Sequence, residues 1–597
     1  MKKLFSYILL GMAIALTACG GDSPDPKPGP DPEPEPEPQG DIHVVKSSTL
    51  IDLWTDKAIY KPGDVVKFTL ASNAAGATTV RYRKGLDVVK EESYTGTSWS
   101  WTAPSTDYQG YIVDVYKLDG NTETIFASVG VDVSSDYAKF VRNGFVATFD
   151  RSKLATIEQE MEYLNRCHIN VVQFQDWHNK HHMPYGGADF YKDIANREVS
   201  TEVVKKYIAT QHSYGMKSLF YNLCFGGLND YAADGVKVEW GIFNDAFHGY
   251  QDRHGNLPSS WKSTEIYLFD PSNVEWQQYL AKRNDDVYNN LDFDGYQIDQ
   301  LGDRGDRYDY NGNKVNLQKG YASFINAMKT AHPNKSLVMN AVSSYGAAQI
   351  CGTGKVDFCY NEVWGNGQDE DQFSNLHAII KANDSYSKAV KPVSTVFAAY
   401  MNYGVSSGSF NMPGVLLTDA VMFALGGSHL ELGDHMLSSE YFPNTKLSMT
   451  SQLKAAMIRY YDFLVAYENL LRGNTTTADE YKAEVKCGSI NVTAWPPKTG
   501  GITTYARKVN GKEVIHLLNF RNASDLNWRD YEGKRSAPMQ ASNVTTTVTT
   551  TKTVKKVWCA TPDKHGGVPV QLEFVQSGNQ VKFTVPSINY WTMLVIE

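Results

Sequence analysis

Positive charge is in short supply in this chain. Its 57 Lys and Arg are outnumbered by 66 Asp and Glu over 597 residues, a net charge of −9, and no long basic run concentrates the cations. Nucleic acid is thereby excluded as a partner, since phosphate recognition needs a clustered basic face. Cysteine is also sparse, with seven residues and no CxxC or metal-like spacing, which argues against zinc ribbons and thioredoxin-type redox sites. Apart from Cys19, the cysteines Cys167, Cys224, Cys351, Cys359, Cys487 and Cys559 are scattered in apolar segments and read more readily as buried thiols than as disulfides, although an exported protein admits a disulfide among them. The turns at 119–124 (DGNTET) and 311–316 (NGNKVN) lack the Asp/Asn order of a calcium loop, so no metal and no cofactor is expected. Aromatic residues, by contrast, are plentiful, with 36 Tyr and 12 Trp, and they suit sugar faces and β-sheets alike. A hydrophobic content of 42% is enough for substantial cores, and the length suggests three or four domains.

The first residues, MKKLFSYILLGMAIALTAC, combine Lys2 and Lys3 with a short apolar run and the sequence Leu16-Thr17-Ala18-Cys19. The run is well short of the roughly 20 residues that span a bilayer. It reads as a lipoprotein signal over 1–19, with cleavage before Cys19 and lipidation of its thiol. In residues 20–40, prolines alternate with acids and hold the backbone extended as a stiff spacer. Membrane contact is then expected only through the lipid anchor.

Residues 41–138 alternate apolar and polar positions in short runs separated by turns such as Lys61-Pro62-Gly63-Asp64. That pattern predicts an immunoglobulin-like β-sandwich, with Trp99 and Trp101 as packing residues. At Gly144 the pattern changes. Strands predicted at 144–149, 169–175, 216–222, 293–299, 336–340, 357–362, 392–398 and 428–432 alternate with helical stretches, including 274–287, 319–331, 373–382, 414–425 and 447–467. In the first helix Leu154, Ile157, Met161 and Leu164 share one face after a cap at Asp150 or Ser152. Eight such units over 139–468 predict a central (β/α)8 TIM barrel. Strand signals return over 469–597, with a hairpin at Asn510-Gly511, a threonine-rich strand read as exposed at 545–551, and the outline of a Greek-key sandwich.

TIM barrels work at the carboxyl ends of their strands. Strand two ends at Asp176, Trp177 and His178, strand three at Asn222, four at Asp299, five at Asn340 and six at Glu362 followed by Trp364. Strand seven is followed by Tyr400, Asn402 and Tyr403, and strand eight by Glu431 and Asp434. Alternation places Phe293, Gly295, Gln297 and Asp299 on one face, and Phe358, Tyr360 and Glu362 on another. Asp294 and Asp357 then mark strand starts. Asp299 and Glu362, 63 residues apart, form a carboxylate pair suited to glycoside cleavage, Asp299 as nucleophile and Glu362 as acid/base. Asp303 is the reserve nucleophile, although it and Asp306 fit loop ion pairs better. Asp176, Trp177, His178, Asn340, Trp364, Tyr403 and Asp434 are candidate sugar contacts. His178, His181 and His182 lack a matching acid pair for metal ligation and are read as polar contacts or solvated loop residues.

The motifs GYQIDQLGDRG and YNEVWG, preceded by QDWHNKHH and followed by AAYMNY, resemble those of glycoside hydrolase family 66, the dextranases and cycloisomaltooligosaccharide glucanotransferases. The resemblance implies retaining endo-hydrolysis of α-1,6-linked glucan such as dextran and isomaltooligosaccharides, with the same roles for Asp299 and Glu362 and sugar binding by Asp176 and Trp177. Cyclising members carry a carbohydrate-binding module inserted in the barrel. Here the longest barrel connection, from Asn222 to Pro271, spans 49 residues, which favours hydrolysis over cyclisation. The acidic spacer after Cys19 is similar to export signals of Bacteroides-type lipoproteins, implying the outer membrane or cell surface of a Gram-negative bacterium; a monomer is expected. The competing readings are a cyclising transglycosylase, an α-1,4-glucan hydrolase, and a non-catalytic glycan-binding lipoprotein.

Overall fold

The computed structural model describes residues 42–364, 371–439, 441–473, 476–477 and 479–597. The expected signal, Cys19 lipobox and proline-rich spacer lie outside the described residues.

The chain is multidomain and rich in β-sheets. Its first part holds a five-stranded sheet in the order Val44–Ser47, Thr122–Val133, Gln109–Asp119, Thr79–Lys84, Asp87–Ser93, and a three-stranded sheet of Leu53–Thr55, Val65–Leu70 and Ser98–Thr102. Period-two patterning drives this packing: in VVKFTL, Val66, Phe68 and Leu70 point inward and Val65, Lys67 and Thr69 outward. Both sheets share one core that includes Tyr82 and Trp101, so Trp101 is a packing residue.

The middle of the chain alternates parallel strands with helices. The strands are β1 (Asn143–Val146), β2 (Val171–Phe174), β3 (Lys217–Leu223), β4 (Gly295–Asp299), β5 (Ser336–Met339), β6 (Cys359–Glu362), β7 (Thr395–Ala398) and β8 (Ser428–His429). Each is followed by a helix: α1 (Ile157–Arg166), α2 (Thr201–Ser213), α3 (Val274–Asn290), α4 (Leu317–Ala331), α5 (Ala347–Cys351), α6 (Phe373–Ser387), α7 (Met412–Ala424) and α8 (Ser451–Ala466). β1 to β5 form one parallel sheet and β6 to β8 another. Single parallel bridges link Asn340 to Tyr360 and Phe145 to Gly433, one on each side of the smaller sheet. The strands are buried on both faces, with helices covering the outer one. Asn273, Asn316 and Thr450 cap α3, α4 and α8 by accepting from the amides of Trp276, Lys319 and Leu453. The first helix starts later than its sequence pattern suggests. Asp150 caps a 3-10 turn over Arg151–Ala155, and α1 begins at Ile157.

The last part packs a sheet that contains Ile502–Val509, Lys512–Asn519 and Trp591–Ile596 against a four-stranded sheet, around a second core. The hairpin at Asn510-Gly511 has positive φ at both residues, 49° and 80°, as a two-residue primed turn requires. The threonine-rich strand, Ala541–Thr549, is not simply exposed: Val544, Thr546 and Val548 face inward. Cys351 is bonded to Cys359, whereas Cys167, Cys224, Cys487 and Cys559 are buried thiols. The buried-thiol reading therefore fails for the first pair.

Two glycines let the first part approach α8 at backbone distance. A β-carbon at Gly110 would lie 2.1 Å from the Val465 carbonyl oxygen, and one at Gly130 would lie 2.5 Å from that of Asp462. The Gly130 amide donates to the Asp462 carboxylate at 2.9 Å. Gly130→Ala therefore forces backbone separation, and we expect it to cost about 1–3 kcal/mol, read as a lower midpoint with an unchanged slope in urea unfolding.

Candidate active site

The carboxyl ends of β2 to β6 and the loops beyond β3 and β8 enclose a cavity of about 520 Å³. Asp299 and Glu362 both line it. In β4 the inward face carries Gly295, Gln297 and Asp299, paired in register with Leu219, Tyr221 and Leu223 of β3. A side chain at Gly295 would strike the Ser336 carbonyl oxygen at 2.3 Å, so glycine allows β4 and β5 to approach and brings Asn340 to Asp299.

Asn340 ties the two acids together. Its Nδ2 donates to Asp299 Oδ1 at 2.9 Å and to Glu362 Oε2 at 3.0 Å, while its Oδ1 accepts from the Glu362 backbone amide at 3.2 Å, which fixes the amide orientation. Tyr221 donates to Asp299 Oδ2 at 2.7 Å, and the Gln300 amide donates to Oδ1 at 2.8 Å. Tyr400 donates to Glu362 Oε1. Burial raises the pKa of both acids. Glu362 is pushed up to about 7, first by burial and then by the charge of Asp299, against hydrogen bonds from Tyr400, Asn340 and Trp364 that favour its anion. Asp299 is raised by burial against the hydrogen bonds of Tyr221, Asn340 and Gln300. Glu362 is thus the member that holds a proton near neutrality, and the pair shares its titration.

Asp176 also lines the cavity. It sits at φ 52°, a left-handed conformation that an aspartate adopts at a cost. Burial raises its pKa to about 7, with Arg197 opposing the rise and Asp193 and Asp299 adding to it. Asn340 lies in the cavity as the sequence suggested. Five other candidates, Trp177, His178, Trp364, Tyr403 and Asp434, do not. Trp177 is fully buried among Phe220 and Phe293 and donates to the Tyr221 carbonyl oxygen, because the turn at Asp176 sends the next side chain back into the layer under the helices. Asp434 is buried between the Ala147 amide and His435 Nδ1, fastening the segment after β8 to that after β1. Tyr403 packs against Trp364 and Tyr400 behind Glu362. Trp364 contacts Glu362 rather than lining the cavity.

The three histidines are buried, not solvated. His178 is fully buried and meets cavity residues from behind, with His181 and Tyr221 as ring neighbours. His181 Nδ1 lies 2.9 Å from Asn222 Oδ1 and 3.0 Å from His178 Nε2. Since Asn222 also donates to the His181 carbonyl, its Oδ1 must accept, so Nδ1 carries the proton and Nε2 keeps a buried lone pair. Burial pushes the His181 pKa down to about 4, keeping it neutral. Asn222 accordingly faces away from the cavity. Asp303 caps its own turn, donated to by the Gly305 amide, and Asp306 pairs with Lys314. Asp294 and Asp357, at strand starts, pair with Lys217 and Lys391.

Among the described residues, two clusters bring an imidazole and two carboxylates close enough together to share a metal ion, His182 with Asp230 and Asp234, and His429 with Asp419 and Glu431. In the first, Lys180 places its ammonium 2.5 and 2.7 Å from the two carboxylates. In the second, His429 itself reaches both acids. A side-chain cation already fills the place between each pair of acids.

Several cavity residues escaped the sequence reading. Tyr221 was recoverable from alternation, because it is opposite Gln297 in register. Trp261 and Tyr441 were not recoverable. They come from loops beyond β3 and β8, and their rings meet 6.1 Å apart at the cavity wall.

Paired acids at strand ends in one open cavity are the equipment of a glycoside-cleaving enzyme. The family model of glycosyl hydrolase family 66 matches residues 55–595, and the chain belongs to that family. A cycloisomaltooligosaccharide glucanotransferase from Niallia circulans is 26% identical over 713 aligned positions, covering 91% of this chain and 72% of the relative. A dextranase from Streptococcus salivarius is 24% identical, covering 82% and 68%. The crystal structure of a Paenibacillus sp. cycloisomaltooligosaccharide glucanotransferase complexed with cycloisomaltoheptaose superposes with a TM-score of 0.82 at 24% identity, covering 92% of this chain and 100% of that one, so the fold is shared.

A linkage prediction follows from the raised Glu362. A carboxyl whose folded pKa exceeds its unfolded value favours folding below the unfolded pKa, and that contribution is lost as pH rises through the folded one, here between about 4.5 and about 7. Glu362→Gln removes the buried charge. Its melting temperature is expected to exceed that of the parent at pH 8, with the gap closing toward pH 5, as checked by calorimetry across that range.

Proposed function

We propose that this chain is a retaining endo-hydrolase of α-1,6-glucosidic linkages in dextran. The observation that carries the mechanism is the Asn340 bridge. One nitrogen bonded to both acids limits the two contacted oxygens to a separation of at most about 5.9 Å. Retaining enzymes need roughly 5–5.5 Å, and inverting ones need roughly 6.5–9.5 Å to admit a water. Asp299 attacks the anomeric carbon and forms an ester as the glycosidic bond breaks, and Glu362 gives its proton to the departing oxygen. Esterification removes the Asp299 charge, so Glu362 loses one cause of its raised pKa and becomes a base. It then takes a proton from water, whose oxygen bonds to the anomeric carbon and frees Asp299. Asp176 supplies hydroxyl contacts, and Trp261 and Tyr441 supply apolar faces for sugar rings.

The α-1,6 linkage rests on the named relatives, which include both a dextranase and glucanotransferases. Cyclisation is the second reading, favoured by the glucanotransferase relatives. The alignment to one of them is longer than this whole chain, so that relative carries insertions without a counterpart here, which supports hydrolysis. We further propose that β1 to β8 close as a (β/α)8 barrel, supported by the two parallel bridges, within a division at 41–138, 139–468 and 469–597 into an immunoglobulin-like sandwich, the barrel and a Greek-key sandwich. Lipidation at Cys19 and display at a Gram-negative outer membrane complete the proposal, supported by the lipobox and the spacer.

On dextran, Asp299→Asn is expected to lose at least about 10³-fold in reducing-end release and Glu362→Gln about 10²–10⁴-fold, with binding retained in affinity electrophoresis. Full activity in both variants would refute the site. In the parent, kcat/KM should fall above about pH 7 as Glu362 deprotonates. A time course of products, linear against cyclic, separates hydrolysis from cyclisation.

A further inference from the structure

Tyr400 follows the end of β7 and places its hydroxyl on Glu362. Its backbone is gripped from two sides by cationic side chains outside the cavity. His429, at the end of β8, holds Nε2 2.7 Å from the Ala399 carbonyl oxygen. A carbonyl only accepts, so Nε2 carries a proton. His429 Nδ1 lies 2.9 Å from Asp419 Oδ1 and 3.2 Å from Glu431 Oε2, and all three side chains are buried. Arg529, from the last part of the chain and 4% exposed, donates Nη1 to the Tyr400 carbonyl at 3.2 Å and Nη2 to the Val363 carbonyl at 3.0 Å. Its Nε meets Asp371 Oδ1 at 3.2 Å. Consecutive carbonyls, Ala399 and Tyr400, are therefore fixed by an imidazole and a guanidinium. The same guanidinium fixes the residue that follows Glu362.

We propose that His429 and Arg529 are positioning residues for the glycosidic reaction, clamping the Ala399–Tyr400 backbone so that the Tyr400 hydroxyl stays on Glu362. The inference rests on the reading of Glu362 as acid/base. It explains why two acids and a histidine are buried together away from the cavity: Glu431 holds the imidazole charged, Asp419 from α7, whose own pKa burial and the Glu431 charge push up to about 8, hydrogen-bonds to it, and its second N–H reaches the strand end. Burial opposes that charge, but Glu431 and Asp419 outweigh it and raise the His429 pKa well above its usual value. The other titratable groups facing this cluster are Tyr460 and Tyr461 of α8, which feel Asp419 and Glu431, and Tyr163 and Cys167 at α1, which feel Glu431. Around Glu362 they are Asp299, Tyr360 and Tyr221, besides Tyr400.

The Tyr400 hydrogen bond favours the Glu362 anion. Loosening the clamp therefore moves the alkaline limb of kcat/KM upward while kcat falls, a combination that loss of packing alone does not give. The experiment measures pH profiles on dextran for His429→Leu, His429→Gln, Arg529→Gln, Tyr400→Phe, and His429→Gln and Arg529→Gln in the Tyr400→Phe background, with circular dichroism as the folding check. Expected are an alkaline limb raised by about half a unit in Arg529→Gln and His429→Leu, a limb near the parent's in His429→Gln, whose amide still donates, and no added shift from Arg529→Gln once Tyr400 is Phe. If His429→Leu fails to fold, Arg529→Gln alone decides. An unmoved limb in the folded variants, or an Arg529→Gln shift that persists without the Tyr400 hydroxyl, overturns the clamp. Glu362→Gln is assayed alongside: parental activity there overturns the acid/base reading itself, whereas its inactivity beside unmoved limbs overturns only the clamp.

Discussion

Two carboxyl groups share one cavity, and both touch the same amide nitrogen of Asn340. Everything around them manages their mutual repulsion. At low dielectric the pair cannot ionise together cheaply, so one member keeps a proton near neutrality. The two tyrosines divide the work, Tyr221 serving Asp299 and Tyr400 serving Glu362. The acids come from different sheets in the hydrogen-bond topology, and Asn340 lies between them, at the end of β5 and bridged to β6. The site therefore depends on the register between those sheets to within one residue, because a slip of one would turn Glu362 outward.

The register also accounts for what was readable in the sequence. All eight parallel strands lie within or beside their sequence-predicted ranges, since strands buried on both faces announce themselves as short apolar runs between helical patterns. Asp299 and Glu362 followed from strand ends and alternation alone. Trp177, Asp434 and Tyr403 were misplaced for one reason. Proximity to a strand end says nothing about direction once the chain enters a turn, and the left-handed residue at Asp176 reverses the side chain after it. His178, His181 and His182 looked like loop residues because burial by tertiary packing leaves no local mark. Trp261 and Tyr441 meet across loops that are distant in sequence, a contact no periodicity encodes.

The flanking β regions are tied into the middle of the chain rather than appended to it. Arg529 reaches the strand ends beside Glu362, and Thr418 of α7 donates to the Trp528 carbonyl. On the other side, Ser128 donates to the Gly566 carbonyl, so the first and last parts of the chain also touch each other. Each of these contacts is a buried or half-buried polar group finding its partner in a different part of the chain, where leaving it unmet would cost about 1–3 kcal/mol.

The backbone contact at Gly110 and Gly130 has a mechanical meaning. Most packed surfaces meet through side chains, which can change rotamer and let one layer slide by fractions of an ångström. Here strand backbone lies against helix backbone, with the Asp462 carboxylate bonded both to the Gly130 amide and to His168 Nε2. No deformable layer separates the two, so this seam behaves as a weld rather than a hinge. Any opening motion of the molecule must find its pivot elsewhere.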